Sequence, residues 1–231
     1  MSVSFPRPPA ARSTRLRRAS DVPAATVGRL PLYHRALESL LDQGIHTVSS
    51  QRLAELSGVT SAQLRKDLSF LGSFGTRGVG YQVAYLHSRI AEWIGAGSDL
   101  DVVIVGIGNL GHALASYRGL AERGFRVIAL IDIDPSRVGL SVGVGDGTLR
   151  IRPLADLPEV ARLAQIGVIA TPDAAAQSVC DRLVEAGIRN ILTFAPGVLT
   201  VPGGVEVRRV DVGLELQILA FRERQQRAVS A

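Results

Sequence analysis

Three glycines near the middle of the chain have the spacing of a dinucleotide-binding turn. They follow the apolar run Val102–Val105 in the pattern Gly106-x-Gly108-x-x-Gly111, and a helical pattern comes after them. In such a turn the first glycine permits a sharp bend, the second lets a pyrophosphate approach the backbone, and the third lets the helix pack against the strand. The positive end of the helix attracts the phosphates. We therefore predict dinucleotide contacts from Gly106, Ile107, Gly108, Asn109, Leu110 and Gly111.

An acidic residue stands where such a site needs one. The apolar run Phe125–Ile133 places Asp132 about 20 residues after the last glycine, where a carboxylate accepts hydrogen bonds from the adenine ribose. A carboxylate repels a 2′-phosphate, so NAD(H) is favoured over NADP(H) as the cofactor. Arg137 argues the other way, because an arginine can bind that phosphate, but we give the acid more weight. The glycines alone would also fit CoA, or a tight turn that binds nothing.

A second buried strand supplies residues for the other half of a dinucleotide. The run Ile166–Pro172 reads as a strand that ends in a turn. Ligands of open α/β sheets bind at the carboxyl ends of the strands. Thr171 and Pro172 are therefore candidate contacts on the nicotinamide side, although an ordinary strand-end turn explains them equally well.

The sequence offers no catalytic group beside the nicotinamide. An NAD-dependent enzyme needs a proton donor or acceptor there. His34, His46 and His87 precede the dinucleotide-binding region, and His112 lies on its phosphate side. We predict no catalytic residues, no metal ligands and a protein that is not an enzyme. An oxidoreductase with an N-terminal extension and a CoA-binding subunit remain the alternatives.

Positive charge is concentrated in the first third of the 231-residue chain. Residues 1–81 contain 11 Lys and Arg against 5 Asp and Glu, whereas residues 82–231 contain 15 against 16. This asymmetry indicates a polyanionic partner for the N-terminal part only. The single cysteine, Cys180, excludes an internal disulfide and fits a reducing compartment. No apolar run approaches the ~18 residues of a membrane helix, and we expect a cytoplasmic protein.

Residues 29–85 have the pattern of a winged helix-turn-helix domain. A first helix begins near Pro31, a second begins after a pair of serines, and Gly58 turns the chain within a short gap. Thr60-x-x-Gln63 is a capping-box pattern that opens a third helix. Two short helices joined by a tight glycine turn are typical of helix-turn-helix proteins, which bind double-stranded DNA.

The apolar and the polar side chains of the third helix fall on different faces. Its leucines recur at i, i+4 and i+7 and point to a core, while another face is small, cationic and hydrogen-bonding, as a helix in a major groove requires. The glycine-rich stretch Gly72–Tyr81 has the look of a wing, with an arginine near its tip that could enter a minor groove. An ordinary solvated helix face and a loop without a ligand are the alternatives. The predicted DNA contacts are Ser61, Ala62, Arg65, Lys66, Ser69 and Arg77.

The sequence thus predicts an α/β protein with five parts. Residues 1–28 are rich in Pro, Ala, Ser and Arg without an apolar period, so we expect a disordered basic extension. It either adds attraction to phosphates or has no role. A winged helix-turn-helix domain (29–85), a connecting helix (86–98), a Rossmann-type parallel-sheet domain (99–212) and a C-terminal helix (213–231) follow. Within the sheet domain we expect a helix over Asn109–Arg123 and a flexible loop over Val142–Gly147.

Four motifs together resemble the Rex family of bacterial redox-sensing transcriptional repressors, over roughly residues 28 to 222. They are Arg29-Leu-Pro-Leu-Tyr-His-Arg35, Val59-Thr-Ser-Ala-Gln-Leu-Arg-Lys-Asp-Leu-Ser69, Gly75-Thr-Arg-Gly-Val-Gly-Tyr81 and Gly106-Ile-Gly-Asn-Leu-Gly111. The resemblance implies NAD(H) as the cofactor and a homodimer that exchanges its C-terminal helices. It also implies release from an inverted-repeat operator with TTGTGA-like half-sites when NADH binds. The N-terminal extension departs from the family pattern.

A sensor of this kind needs residues that connect its cofactor site to its DNA-binding domain. Arg35 on the first helix, Tyr117 after the glycine turn and Asp211 before the last helix are candidates. A charge-assisted network among them would link the cofactor pocket, the dimer interface and the DNA-binding domain. Three unrelated surface or capping residues are an equally good reading.

Overall fold

A computed structural model describes residues 22–76 and 78–229 and divides the chain into two units, Met1–Gly97 and Ser98–Ala231. The N-terminal unit is mainly helical. Its helices are α1 (Ala24–Val27), α2 (Leu30–Asp42), α3 (Ser50–Leu56), α4 (Ser61–Leu71) and α5 (Val83–Ile94). Its strands are β1 (Thr47–Val48), β2 (Gly75–Thr76) and β3 (Gly80–Gln82), which form an antiparallel sheet in the order β1-β3-β2. β2 and β3 form the hairpin expected of a wing.

The predicted helical stripes build the core of this unit. Leu37, Leu53 and Leu64, from α2, α3 and α4, are fully buried in one cluster. α5 adds Leu86 and Ile90 to the same cluster. The helix that we expected to connect two domains therefore belongs to the core of the N-terminal unit, because its apolar face packs there.

The predicted disorder of residues 1–28 is wrong for the part of this segment that the structure describes. Residues 24–27 form α1, in which Thr26 is buried, and Val22 joins the core of the unit. Local sequence does not specify this turn of helix. It is held instead by a hydrogen bond from the Thr26 hydroxyl to Asp67, 41 residues away.

The second unit is built on a seven-stranded sheet. Its strands are β4 (Leu100–Val105), β5 (Phe125–Asp132), β6 (Ser141–Val144), β7 (Gly147–Pro153), β8 (Ile166–Ile169), β9 (Asn190–Thr193) and β10 (Glu206–Arg209). The order is β10-β9-β8-β4-β5-β7-β6, and all neighbours are parallel except β6 and β7. The six parallel strands have the Rossmann order. The chain adds strands outward from β4 first on one side and then, from β8 on, on the other, so the order of the strands reverses between β4 and β8. The predicted fold class is confirmed.

Four helices accompany the sheet: α6 (Asn109–Ala115), α7 (Leu157–Ala161), α8 (Asp173–Glu185) and α9 (Val212–Val229). α6 is shorter than the predicted helix Asn109–Arg123. It ends at Ala115, with Ser116 as its C-cap shortly before Gly119, and a short 3₁₀ turn covers Ala121–Arg123. Glycine disfavours a continued helix because it loses more backbone entropy than other residues.

The loop predicted over Val142–Gly147 is also wrong. Val142–Val144 belong to β6, which pairs antiparallel with β7 so that Val142 lies opposite Leu149, and only Gly145 and Asp146 form a turn. Val142 is only 3% exposed. Burial of this side chain and pairing with β7 outweigh the low strand propensity of the surrounding glycines.

The two faces of the sheet are covered unequally. Successive β4 residues alternate between two apolar clusters, as a strand requires. α7 and α8 cover one face, and α6 with the β6–β7 hairpin covers only part of the other. An apolar groove of about 300 Å³ remains on that second face, between α6 and strands β8 to β10. Its strand side chains include Ile104, Ile166, Val168 and Leu192.

α9 leaves its large apolar side chains exposed. Leu214 is 45% exposed, Ile218 41% and Phe221 61%. These three residues form one stripe at i, i+4 and i+7, and Val212, Leu216 and Leu219 form a second stripe on the opposite side. Among the helices within residues 22–76 and 78–229, none has both the length and the apolar character that crossing a bilayer requires.

Candidate functional site

The glycine turn between β4 and α6 has the geometry predicted from its spacing. Gly106 has φ +95°, and a Cβ there would lie 2.8 Å from the carbonyl carbon and oxygen of Ala170. A Cβ on Gly111 would lie 1.9 Å from the Gly106 oxygen. These two glycines are therefore required by the fold itself.

Gly108 differs from the other two. Its φ of −74° is open to any residue, and a Cβ would meet only the Arg137 Nη1 atom, at 3.9 Å. The fold leaves open space above this backbone, as close approach of a ligand would need. The N–H groups of Asn109, Leu110 and Gly111 lie in the first turn of α6, where no intrahelical acceptor is available.

Asp132 stabilises the glycine turn by accepting backbone hydrogen bonds. Its carboxylate is buried at the end of β5 and accepts hydrogen bonds from the N–H of Ile107, at 2.7 Å, and the N–H of Asp134, at 3.0 Å. Burial raises the pKa of Asp132, but these backbone hydrogen bonds outweigh it and hold the pKa below its ordinary value. Ile107, predicted to contact the cofactor, has a buried side chain and uses its N–H within the protein. Sequence reasoning missed this internal bond.

A carboxylate offers about four acceptor positions, and the donors of Ile107, Asp134 and Arg137 use three of those of Asp132, which leaves one for a ribose hydroxyl. Arg137 lies beside it, with Nη1 at 3.4 Å from Asp132 Oδ2 and Nε at 3.5 Å from Asp134 Oδ2. The same Nη1 is the atom nearest to Gly108. A cation therefore stands beside the open approach to the turn, where it suits a phosphate.

Thr171 meets this turn from the neighbouring strand. Its Cγ2 lies 2.8 Å from the position of a Cβ on Gly106, so the end of β8 and the glycine turn are in contact. Its hydroxyl oxygen is buried and has no hydrogen-bond partner within the described residues. Buried hydroxyls are normally satisfied, so an unpaired one beside a glycine turn fits a ligand that supplies the partner. Pro172 follows as the N-cap of α8. The residues present thus fit a dinucleotide.

The predicted DNA-binding face is present on α4. Ala62, Arg65, Lys66 and Ser69 are exposed, and Ser61 is half-buried at the start of the helix. Thr60 caps this helix by accepting a hydrogen bond from the Gln63 N–H at 3.2 Å. The Gln63 side chain turns to Asp67 instead of closing the capping box, so only half of the predicted motif forms.

A groove of about 600 Å³ lies between α4 and the β2–β3 hairpin. Arg65 and Ser69 line it from the helix, and Thr76 and Tyr81 line it from the hairpin. Arg77, predicted at the tip of the wing, lies outside the described residues.

Asp67 is the residue that sequence reasoning missed. Its carboxylate is fully buried and accepts hydrogen bonds from α1, α2 and α4 together. Its partners are Thr26 Oγ1 (2.9 Å), Arg29 Nε and Nη2 (2.6 and 2.8 Å), Tyr33 OH (2.6 Å) and Gln63 Nε2 (2.9 Å). Burial raises the pKa of Asp67, but the hydrogen bonds from Arg29, Tyr33 and Thr26 outweigh it and hold the pKa well below its usual range. Asp67 lies three residues after Leu64 and directly before Leu68, so the helical period places it on the core face with these leucines. That spacing is the sequence signal that could have revealed it.

Two histidines pack together in the same unit. The rings of His34 and His87 are stacked, with centroids 4.1 Å apart. Burial, together with the neighbouring His87, lowers the pKa of His34. Across the described ranges, no group of three or more His, Cys, Asp or Glu could hold a metal ion.

The two units match different family models. Residues 21–69 match the family described as "Putative DNA-binding protein N-terminus". Residues 98–197 match the family described as "CoA binding domain".

Relatives match nearly the whole chain. A redox-sensing transcriptional repressor Rex from Streptomyces avermitilis is 55% identical over 216 residues, which are 89% of this chain and 81% of the relative. A protein of the same name from Carboxydothermus hydrogenoformans is 46% identical and covers 88% of this chain and 97% of its own.

Solved structures of one protein, RSP, are similar over most of the chain. RSP in complex with beta-NAD+ and operator DNA superposes with a TM-score of 0.81 at 34% identity, over 90% of this chain and 95% of RSP. RSP in complex with beta-NADH gives a TM-score of 0.79 at 33% identity, over 90% and 97%. RSP is itself described as a Rex-family repressor.

Proposed function

This chain belongs to the Rex family of redox-sensing transcriptional repressors, and from that premise we propose that it binds an inverted-repeat operator and leaves it when NADH binds. It is a regulator and not an enzyme. The single observation that carries the proposal is an open dinucleotide-binding turn in the same chain as an exposed cationic helix beside a wing. RSP, which is 34% identical, was solved with beta-NAD+ and operator DNA together.

Each proposed cofactor contact has a role in this chain. Backbone at Gly108 and the first turn of α6 receives the pyrophosphate, with Arg137 beside it. Asp132 accepts from the adenine ribose, and Thr171 and Pro172 lie on the nicotinamide side. The two forms of the cofactor differ only at the nicotinamide ring. The ring of NADH carries an additional hydride, and the ring of NAD+ carries a positive charge. A ligand shifts a conformational equilibrium only by its difference in affinity for the two states.

We place the DNA contacts on α4 and the wing. Arg65 and Lys66 are exposed cations on the face that would enter a major groove, and Ser61, Ala62 and Ser69 complete that face. In a dimer two such helices must match successive major grooves, about 34 Å apart. A state favoured by NADH that alters this spacing would release the operator. Moving such an equilibrium from 1:99 to 99:1 takes about 5.5 kcal/mol of differential binding.

Alanine at Arg65 or Lys66 is expected to weaken operator binding. A base contact costs about 1–3 kcal/mol when lost, and a phosphate contact lowers the slope of log K against log salt by about 0.9. Fluorescence anisotropy across a salt series separates the two cases. Arg52→Ala is the matched control, because Arg52 is an exposed arginine on α3 that pairs with Glu55. Operator binding as tight as that of the unaltered protein in both variants would exclude α4 as the reading helix.

A homodimer accounts for two apolar surfaces that one chain leaves uncovered. The groove over β8 to β10 and the two stripes of α9 are both exposed. Monomeric proteins rarely leave such large contiguous apolar patches exposed. We infer that α9 of one subunit packs against its partner and that the helices are exchanged. The operator's two half-sites require the same two-fold symmetry.

Ile218→Glu is expected to give a monomer of 24.5 kDa by light scattering, because a carboxylate in an apolar interface is costly to desolvate. Ala220→Glu is the control, because Ala220 lies between the two apolar stripes of α9. It should remain dimeric. A dimer that survives Ile218→Glu would place the interface elsewhere.

We propose Arg35, Tyr117 and Asp211 as the residues that couple the two units. Asp211 Oδ1 accepts a hydrogen bond from the Leu214 N–H at 3.0 Å, which fixes the start of α9. Tyr117 and Arg35 are exposed within their own units and are free to meet a partner. If this network carries the signal, Asp211→Ala should bind operator but lose its response to NADH.

The decisive experiment is a mobility shift on an inverted-repeat operator, titrated separately with NADH, NAD+ and CoA. Release by NADH alone supports the proposal. Equal retention with NADH and NAD+ would refute redox sensing. Release by CoA would favour the ligand suggested by the domain match over residues 98–197. The site of action is the cytoplasm, where bacterial operator DNA lies.

A further inference from the structure

The chain that follows β9 forms a loop at the same edge of the sheet as the glycine turn. β4, β8 and β9 are parallel neighbours, so their carboxyl ends lie side by side. Residues 195–201 follow the end of β9, and we call them the β9 loop. The N–H of Phe194 donates to the Ile169 oxygen at 3.0 Å, which continues the pairing of β8 and β9 up to the point where this loop begins.

The strand order indicates which half of a dinucleotide the β9 loop faces. The strands here lie in the order β9-β8-β4-β5, with the glycine turn after β4 and Asp132 at the end of β5. With the pyrophosphate at the turn and the adenine ribose at Asp132, the other half of the cofactor extends over β8 and then β9. The Thr171 hydroxyl, buried and without a hydrogen-bond partner among the described residues, lies on that path. The β9 loop is thus beside the nicotinamide half.

Two side chains of α8 hold the β9 loop in place. Asp173, which opens α8 two residues after Thr171, accepts a hydrogen bond from the Gly197 N–H at 2.8 Å. Gln177, one helical turn later, makes two hydrogen bonds to the backbone of Thr200. Its Nε2 donates to the carbonyl oxygen and its Oε1 accepts from the N–H, both at 2.9 Å. α8 therefore anchors the loop at two points.

Further contacts anchor the loop to its flanking strands. Thr193 on β9 accepts a hydrogen bond from the Ala195 N–H at 3.1 Å, and Arg209 on β10 donates to the Pro196 carbonyl oxygen at 2.7 Å. Val198, in the middle of the loop, is 85% exposed. The backbone on both sides of this apolar side chain is thus fixed by the protein, and much of the entropy cost of ordering the loop is met in folding.

We propose that Asp173 and Gln177 are positioning residues, which hold the β9 loop against the nicotinamide half of the cofactor and thereby raise the affinity for NADH. The proposal rests on the cofactor site argued above and adds to it two residues that act through the loop. Ordering a loop on binding costs free energy, so a loop that is ordered in advance increases affinity. Loosening the loop should weaken binding of the nicotinamide half and leave the adenosine half unaffected.

The test compares the affinities of full-length variants for NADH and for ADP by titration calorimetry. ADP has the adenosine and the two phosphates of the cofactor but no nicotinamide. Asp173→Ala and Gln177→Ala should each lower affinity for NADH about fivefold, the equivalent of one ordinary hydrogen bond, and leave affinity for ADP unchanged. Release from the operator should then require about fivefold more NADH. A general loss of stability would lower both affinities, so their ratio identifies a positioning role.

Asp173→Asn separates position from charge. The asparagine amide oxygen can still accept from the Gly197 N–H, so this variant should bind NADH almost as tightly as the unaltered protein. A loss of NADH affinity as large as that of Asp173→Ala would show that the carboxylate acts through its charge, and the positioning role of Asp173 would be overturned.

Gln165→Ala is the matched control. Gln165 also makes two amide hydrogen bonds to backbone, from the Asp101 N–H at 2.8 Å and to the Leu163 oxygen at 3.2 Å. These bonds lie at the opposite edge of the sheet, where β4 and β8 begin, so neither affinity should change.

Unchanged affinity for NADH in both alanine variants of α8 would overturn the proposal, as would an equal loss of affinity for NADH and ADP. The proposed function fails in a different way. It is contradicted if the unaltered protein does not bind NADH, or if NADH does not release it from the operator.

Discussion

Gly108→Ala is expected to produce a folded repressor that no longer responds to NADH. The added Cβ meets only one arginine atom, at 3.9 Å, and φ is already in the ordinary range. The free energy of unfolding should therefore change by no more than ~0.5 kcal/mol. The methyl group would nevertheless occupy the space that the pyrophosphate needs. Loss of one charged hydrogen bond costs about 1.5–3 kcal/mol, which lowers affinity for NADH about 10- to 140-fold.

Titration calorimetry with NADH and a thermal unfolding curve measure the two quantities separately. Gly111→Ala is the contrasting variant, since its Cβ would lie 1.9 Å from the Gly106 oxygen and the turn would have to open. That variant should lose stability and cofactor binding together. If Gly108→Ala binds NADH as tightly as the unaltered protein, the pyrophosphate does not approach the backbone at this glycine.

Asp67→Asn is expected to destabilise the N-terminal unit by about 3 kcal/mol, the lower end of the cost of breaking a buried ion pair, because Arg29 is partly exposed. The asparagine NH₂ group cannot accept a hydrogen bond, so it would face donors from Arg29, Tyr33 or Thr26. Operator binding should fall with the stability of α4. NADH binding should persist, since the second unit has its own core.

The single tryptophan makes this measurement specific. Trp93 packs against the core of the N-terminal unit, so its fluorescence in urea reports the unfolding of that unit. Tyr33→Phe is the milder control, because it removes one of the donors and should cost about 1 kcal/mol. Equal stability of Asp67→Asn and the unaltered protein would show that the buried carboxylate contributes nothing.

The effect of Asp67→Asn on stability is expected to depend on pH. The pKa of Asp67 is lowered by folding, so its stabilisation is fully present above the ordinary carboxyl pKa of 3.8 and is lost as the pH falls below it. The difference in stability between the two proteins should accordingly narrow in that acidic range.

The sequence allowed prediction wherever a local pattern decides the structure. The glycines at 106, 108 and 111, the strand that ends at Asp132 and the leucines of α4 follow short-range rules of spacing, and the structure places them as those rules require. Thr171 is a candidate by the rule that sites form at strand ends. The structure places its side chain beside the glycine turn, and its hydroxyl has no hydrogen-bond partner among the described residues.

Features that depend on distant partners were not predictable in this way. α1 exists because Thr26 meets Asp67, and a run without an apolar period gives no indication of that contact. β6 exists because β7 pairs with it, although its glycines favour a loop. The hydrogen bond from the Ile107 N–H to Asp132 was not predicted, because the Asp132 carboxylate was assigned entirely to the cofactor. Asp67 itself followed the helical period of the core leucines, but its charge concealed that regularity.

The outer strands of the seven-stranded sheet limit how copies of this protein can associate. β10 ends the sheet on one side with Glu206, Arg208 and Arg209, and β6 ends it on the other with four residues in reversed direction. Charged or short borders resist the addition of further strands. Assembly is thus directed away from open-ended ribbons, and a crowded cell can hold many copies of the protein without their sheets merging into fibres.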